Sequence, residues 1–290
     1  MLLAMAFMQM TRAQACAKRI CEVLETQSTL TDGNCPIQAL PGATGEVEFK
    51  NVGFKYAAGS GDEVLSDVSF CVRPGSVTAI VGGTGTGKSS LVNLIPRFYD
   101  VSGGQVLVDG LDVREYPLEE LRGRVGMVLQ SNVLFSGTIR ENLLWGREDA
   151  TQEELEQAAR DARAYDFIMA FPEGFDTYIE QGGVNVSGGQ KQRLCIARAM
   201  LRKPAILILD DSTSAVDSAT EAGIRQSFTE NLKGTTVILI AQRISSVRYA
   251  DQIIVLDEGK VSAAGSHDEL MKTSSIYQEI YASQQEGVRE

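Results

Sequence analysis

The 290-residue chain is poor in histidine, has a single tryptophan and carries fewer basic than acidic side chains. With one histidine, His267, it cannot build a His-rich metal site or a two-histidine proton relay; histidine chemistry must use His267 or come from another chain. Cys16, Cys21, Cys35, Cys71 and Cys195 are odd in number, widely spaced and form no CxxC pair. That argues against a zinc site and a disulfide framework, and for a reducing cytosolic compartment. Lysine and arginine total 27 against 38 aspartates and glutamates, a net charge of −11, which disfavours a nucleic-acid partner because phosphate neutralisation needs clustered cations. No apolar run reaches the roughly 20 residues that cross a bilayer, and there is neither an internal repeat nor a low-complexity tract.

What is present is ordinary globular composition, 43% hydrophobic and 22% charged, in a length that suits one α/β domain with an appendage. Residues 1–10 are apolar until Arg12 and Lys18 introduce charge. No basic segment precedes them and no clear cleavage site follows, so a signal peptide is not expected; the alternatives are a buried helix and the cut end of a longer membrane helix. Residues 11–26 read as a helix, with Ala13, Ala17, Ile20 and Leu24 at 3–4 spacing. Residues 28–45 have linker composition, with Gly33, Pro36, Pro41, Gly42 and Gly45.

Beyond that boundary, 46–54 alternates as a half-buried strand and 64–72 does so more weakly. Residues 77–81 are an apolar run entering a glycine-rich turn, and 88–95 read as a helix ending at Pro96. Residues 152–171 read as one Ala-rich helical stretch, with Leu155, Ala158, Ala159 and Ala162 on one face. Strand patterns return at 205–209, 236–240 and 252–256, alternating with helical patterns from Ala219 and from His267. Alternating β and α elements predict a largely parallel sheet covered on both faces.

Gly82-Gly83-Thr84-Gly85-Thr86-Gly87-Lys88-Ser89 fits G-x-x-x-x-G-K-[ST] between an apolar strand and a helix. Such glycines let backbone N–H groups curl around a polyphosphate, the helix N-terminus adds partial positive charge, the lysine reaches the β/γ-phosphates and the hydroxyl ligates Mg²⁺. Ala205-Ile206-Leu207-Ile208-Leu209-Asp210 is an apolar run closed by a carboxylate, as expected of a buried strand ending at the ligand edge of a sheet. Asp210 is then the carboxylate that holds Mg²⁺ through a water, as in P-loop NTPases. Upstream, Val186-Ser187-Gly188-Gly189-Gln190 precedes a helical stretch. A second anion cradle in one chain suits a nucleotide held by a neighbouring subunit.

With these motifs in this order, 46–281 resembles the nucleotide-binding domain of ABC transporters, and more closely that of exporters with membrane helices fused ahead of it. The resemblance implies an α/β fold: a P-loop NTPase core with a mostly parallel sheet, an antiparallel β subdomain and an α-helical subdomain inserted at about 137–190. It implies ATP and Mg²⁺ as cofactors. Thr84, Gly85, Thr86, Gly87, Lys88, Ser89 and Ser90 would contact the nucleotide, Tyr56 would stack on adenine, and Ser89, Gln130 and Asp210 would serve the metal. Gln130 matches the Q-loop glutamine, which relays contact to the membrane domain. Ser214-Ala215-Val216-Asp217 matches the D-loop, with Asp217 at the dimer interface, and Ser187, Gly188, Gly189 and Gln190 match the signature that acts on a partner's nucleotide. Residues 1–27 then correspond to the end of the last transmembrane helix and its cytoplasmic extension, 28–45 to a linker and 46–290 to the nucleotide-binding domain. The chain would be a fragment of a half-transporter at the cytoplasmic face of the cell membrane.

Three positions depart from the family pattern. Where active sites carry a glutamate after the Walker B aspartate, this chain has Asp211. Its shorter side chain sets the carboxylate back by roughly 1 Å, a misplacement that can cost ~10²-fold in rate. Where the family usually has a switch histidine, Ala241-Gln242-Arg243 supplies a neutral amide that cannot take up a proton. Gln181 stands where a glutamate often contacts the membrane domain. Asp211 and Gln242 weaken one site together, with Asp211, Gln242 and Gln130 as its catalytic group, while the signature is intact. The pattern resembles the degenerate-site subunit of a heterodimeric exporter: an ATP hydrolase in class, slow at its own site, paired with a second half-transporter subunit and a transmembrane domain. The alternatives are a fully active homodimeric exporter ATPase, and a soluble non-transport ABC ATPase or ATP-dependent clamp.

Overall fold

Strands Val77–Val81, Ile206–Asp210 and Thr236–Ile240 are almost wholly buried along their length, which is why they read as largely apolar runs. In the computed structural model, which describes residues 2–56, 61–211 and 216–286, they lie side by side in a six-stranded sheet. Its order is Lys260–Gly265, Gln252–Asp257, Val77–Val81, Thr236–Ile240, Ile206–Asp210, Val125–Val128. All neighbours are parallel except the first pair. Ile80 is level with Ile240 and with Ile254, and Ile240 is level with Asp210. Three loops therefore leave the sheet at one height and one edge: the one opening at Gly82, the one opening at Asp211 and the one opening at Ala241.

The sheet's two faces serve two cores. Ile80, Ile206, Ile208, Ile238 and Ile240 pack with Leu91 and Val92 of the Lys88–Asn93 helix and with a four-stranded antiparallel sheet made of Val47–Phe54, Leu65–Val72, Gly103–Val108 and Leu111–Asp112. The alternate residues Ala79, Val81, Leu207, Leu209, Val237 and Leu239 face the other way, into a core shared with the helical insert. That insert comprises Ile139–Leu144, Gln152–Asp161, Tyr165–Ala170 and the 14-residue helix Gly188–Leu201. The α/β class, the mostly parallel sheet, the antiparallel β subdomain and the inserted helices are all present.

Several local expectations need correction. The stretch 152–171 is two helices, Gln152–Asp161 and Tyr165–Ala170, separated where Arg163 takes a left-handed backbone (φ 54°). The helix after the glycine-rich turn ends at Asn93, short of Ile95. The stretches 1–10 and 11–26 fall in one helix, Leu2–Glu25, and none of its residues is buried, against the reading of the first stretch as a buried helix. No helix among the described residues is long and apolar enough to cross a membrane. Residues 1–31 form one compact unit and 32–290 another. Much of the stretch read as a linker is thus part of the larger unit. The Gly33 and Cys35 N–H groups donate to the carbonyls of Tyr116 and Glu115, and Leu118 N–H donates to Asp32. The N–H groups of Thr44, Gly45 and Glu46 converge on one oxygen of Asp109 at 2.8–3.1 Å. Such backbone pairing with distant side chains leaves no periodicity to read.

Candidate functional site

The loop after Val77–Val81 turns through Gly85 and Gly87 with left-handed backbones, φ 81° and 92°. Gly87 is the residue before the Lys88–Asn93 helix, and a Cβ there would lie 2.9 Å from Leu65 Cδ2, so glycine is required both by conformation and by space. Lys88 Nζ donates to the carbonyls of Gly82 (2.9 Å) and Gly83 (2.6 Å), and Thr86 Oγ1 donates to Gly83 O at 3.0 Å, holding the loop curled. Thr84, Gly85 and Ser89 are exposed along this loop, whereas Ser90 is buried. The Tyr56 hydroxyl meets Ser90 Oγ at 2.8 Å, and its ring stands edge-on to Phe54 and Tyr99, centroids 4.8 and 5.1 Å apart. Tyr56 remains 55% exposed, leaving ring surface for a flat ligand.

Beside the loop, Asp210 is 5% exposed at the end of its strand. Burial pushes its carboxyl above the ordinary carboxylate range, against the pull of Ser89 and of Lys88. Burial raises Asp211 too, the neighbouring Asp210 charge adds to it, and Lys88, Arg243 and Gln242 oppose it. Lys88 itself is lowered by burial, with Asp210 and Asp211 restraining the shift. One ammonium therefore faces two carboxylates in a partly dry cleft. The Ser89 hydroxyl and the Asp210 carboxylate are the kind of hard oxygen donors that suit Mg²⁺, and the glycine loop with its lysine suits a polyphosphate, so the residues fit both groups.

The two departures at this edge touch. Gln242 Nε2 donates to Asp211 Oδ2 at 2.9 Å, and Asp211 sits in a left-handed backbone (φ 47°) with its N–H donating to Ile240 O. Gln130 is exposed in the loop after Val125–Val128, and its carbonyl accepts from Asn132 at 3.5 Å.

The signature residues sit apart, at the start of Gly188–Leu201. Ser187 caps that helix: its hydroxyl accepts from Gln190 N–H at 3.3 Å, and Gln190 Oε1 accepts from Ser187 N–H at 2.9 Å. Ser187 and Gly188 are exposed, with Gly189 and Gln190 half-buried. Asp217 caps Ser218–Glu230 through Ala219 and Thr220 N–H at 3.1 and 2.9 Å. Ser214 and Ala215 lie outside the described residues. Gln181 is exposed in the Gln181–Gly183 turn. His267 is placed away from this chemistry, at the start of His267–Thr273, with Nδ1 2.9 Å from the hydroxyl of buried Tyr277.

Sequence reading passes over a groove next to Gln130. Leu129, Ser131, Val133, Phe135, Trp145 and Arg198 help to line a cavity of about 220 Å³. Phe135 and Trp145 stack at 4.9 Å while 45% and 68% exposed. Arg198 braces this wall, donating to Asn142 O at 2.7 Å and to Val133 O at 3.1 Å. The signal available in the sequence is the placement of the single tryptophan just past a capped helix, Ile139–Leu144, with no core position to fill.

The family model described as ABC transporter matches residues 65–214. The chain is 45% identical over 275 residues to the Bacillus subtilis "Putative multidrug export ATP-binding/permease protein YgaD", covering 95% of this chain and 47% of that protein. It is 42% identical over 276 residues to Arabidopsis thaliana "ABC transporter B family member 1", covering 94% of this chain and 22% of the relative. The solved "Structure of a bacterial Atm1-family ABC exporter with ATP bound" superposes with a TM-score of 0.87 at 35% identity, over 98% of this chain and 49% of that one. The chain thus spans about half or less of the length of these relatives. With the glycine-rich loop, the buried Asp210 and the helix-capping Ser187 set on this scaffold, the chain belongs to the ABC transporter family and carries its ATP-binding domain.

Proposed function

We propose that this chain is the ATP-binding part of an ABC exporter subunit whose own site holds Mg-ATP but turns it over slowly. Its Ser187, Gly188, Gly189 and Gln190 complete the site on a partner subunit's glycine loop. The observation that carries this reading is the 2.9 Å contact between Gln242 and Asp211. The family's water-positioning glutamate and switch histidine are both replaced, and the replacements engage each other. A short carboxylate held by a neutral amide has little reach towards an attacking water, and the amide offers no proton relay. The binding half of the site is intact: Lys88 is poised over the curled loop, and Ser89 and Asp210 form a ready oxygen pair.

The Leu2–Glu25 helix corresponds in this reading to the end of a transmembrane helix and its extension, and the Phe135–Trp145 groove beside Gln130 to the face that receives the membrane domain. Asp217 would reach across the interface of the assembled pair. Closure of two such domains around ATP would be passed to the membrane through the groove. The test is turnover in the assembled pair. Restoring Asp211→Glu together with Gln242→His should raise hydrolysis at this chain's site at least tenfold, on the ~10²-fold scale of a 1 Å misplacement. Rapid turnover by the unaltered chain as a homodimer would favour the fully active exporter ATPase instead.

A further inference from the structure

The loop that follows Thr236–Ile240 leaves the sheet at Ala241, and among the described residues no strand pairs with the backbone of residues 242–244. A side chain takes that place. Gln284, on the Ser275–Glu286 helix, donates from Nε2 to the Gln242 carbonyl at 2.6 Å and accepts on Oε1 from the Ile244 N–H at 2.8 Å. One amide thus pairs with an acceptor and a donor two residues apart, as a neighbouring strand would. Tyr277, seven positions earlier and so on the same helix face, is fully buried, and its hydroxyl meets His267 Nδ1 at 2.9 Å. The helix is anchored at Tyr277 and grips the loop at Gln284.

We infer that Gln284 is a positioning residue for the switch position: by fixing the backbone on both sides of Arg243 it sets where the residue-242 side chain points, and hence its contact with residue 211. The clamp itself stands on the two hydrogen bonds, whereas its effect on turnover rests on the reading of Gln242 as the switch position. A carboxamide is required because it both donates and accepts. Gln284→Glu keeps the acceptor for Ile244 N–H but turns a second oxygen on the Gln242 carbonyl, and Gln284→Ala removes both contacts.

The clamp is read directly by deuterium uptake at residues 242–247 in the full chain, compared with the chain's thermal unfolding. Gln284→Ala should speed exchange of the Ile244 amide about two- to tenfold, the range for losing one neutral hydrogen bond, while Gln284→Glu leaves that amide protected. The consequence for chemistry is read in the assembled pair carrying Asp211→Glu and Gln242→His. There both Gln284 variants should lower kcat about three- to tenfold, per ATP-binding site, with KM for ATP changed less than twofold. Unchanged Ile244 exchange in Gln284→Ala, or an unchanged kcat in both variants, would overturn the inference. If the restored pair shows no gain in turnover, the slow-site reading fails, and Ile244 exchange alone decides the clamp.

Discussion

Asp210 is buried where its charge is costly. Its carboxyl is raised, first by burial, so the folded chain binds that proton more readily than the unfolded chain does. As pH rises from the ordinary carboxylate range through the raised value, the native state holds the extra proton and stability falls; above it the full cost of the ionised group remains. In the metal-free chain Asp210→Asn should therefore unfold at a higher temperature than the parent at neutral pH. The margin should shrink as pH falls and vanish below the ordinary carboxylate range, as a calorimetric pH series would show. The same substitution should weaken Mg²⁺-dependent ATP binding. A single residue thus trades stability for a ligand site. Parity of the two unfolding temperatures across the series would mean that Ser89 and Lys88 already offset the burial.

At the scale of elements, four helices among the described residues begin with reciprocal capping boxes, at Thr138, Thr151, Ser187 and Ser266. Ser187→Ala and Thr151→Ala should each cost about 1 kcal/mol, or roughly 2–4 °C in Tm. Only Ser187→Ala should also reduce turnover at the partner's site, so comparing the two separates the cap from the signature. Equal turnover in both variants would confine Ser187 to a structural role. The sequence makes some elements legible and hides others for physical reasons. Strands buried on both faces, such as Ile206–Asp210, leave unbroken apolar runs. Gly103–Val108 opens on two glycines with its first three residues exposed, and Lys260–Gly265 alternates only between exposed and half-buried residues, so neither leaves a comparable mark. The break at Arg163 is invisible because arginine carries no turn signal. The loop motifs around Lys88, Asp210 and Ser187 are read from local spacing. Gln284 and the Phe135–Trp145 wall act through contacts made only once the chain has folded.

Across the whole molecule, distant segments are tied by a few concentrated nodes. Asp109 receives three backbone N–H groups and the Thr44 hydroxyl on one oxygen, and Arg124 on the other at 2.9 Å, with its side chain 2% exposed. Removing its carboxylate leaves a largely buried guanidinium with only its bond to the Pro41 carbonyl and deprives the Thr44, Gly45 and Glu46 N–H groups of their shared acceptor. Asp109→Ala should cost about 3 kcal/mol and lower Tm by roughly 6–12 °C. Asp109→Asn, which keeps an acceptor and tolerates the left-handed backbone at this position (φ 50°), should lose less. A melt showing the two variants alike would place the stabilisation in the charge pair alone.

Strand order also dictates when the molecule can form. Val77–Val81 is flanked in the sheet by Thr236–Ile240 and Gln252–Asp257, both made far later during synthesis. A ribosome finishes the glycine loop long before either edge of the strand beneath it can be covered, and such late, non-local pairing is slow to nucleate. Through that interval the strand's two bare edges are exposed to chaperones and to aggregation, and nucleotide has no cradle with which to rescue a nascent chain. Lesions in 236–257 will consequently deplete the protein in the cell as much as they disturb its chemistry.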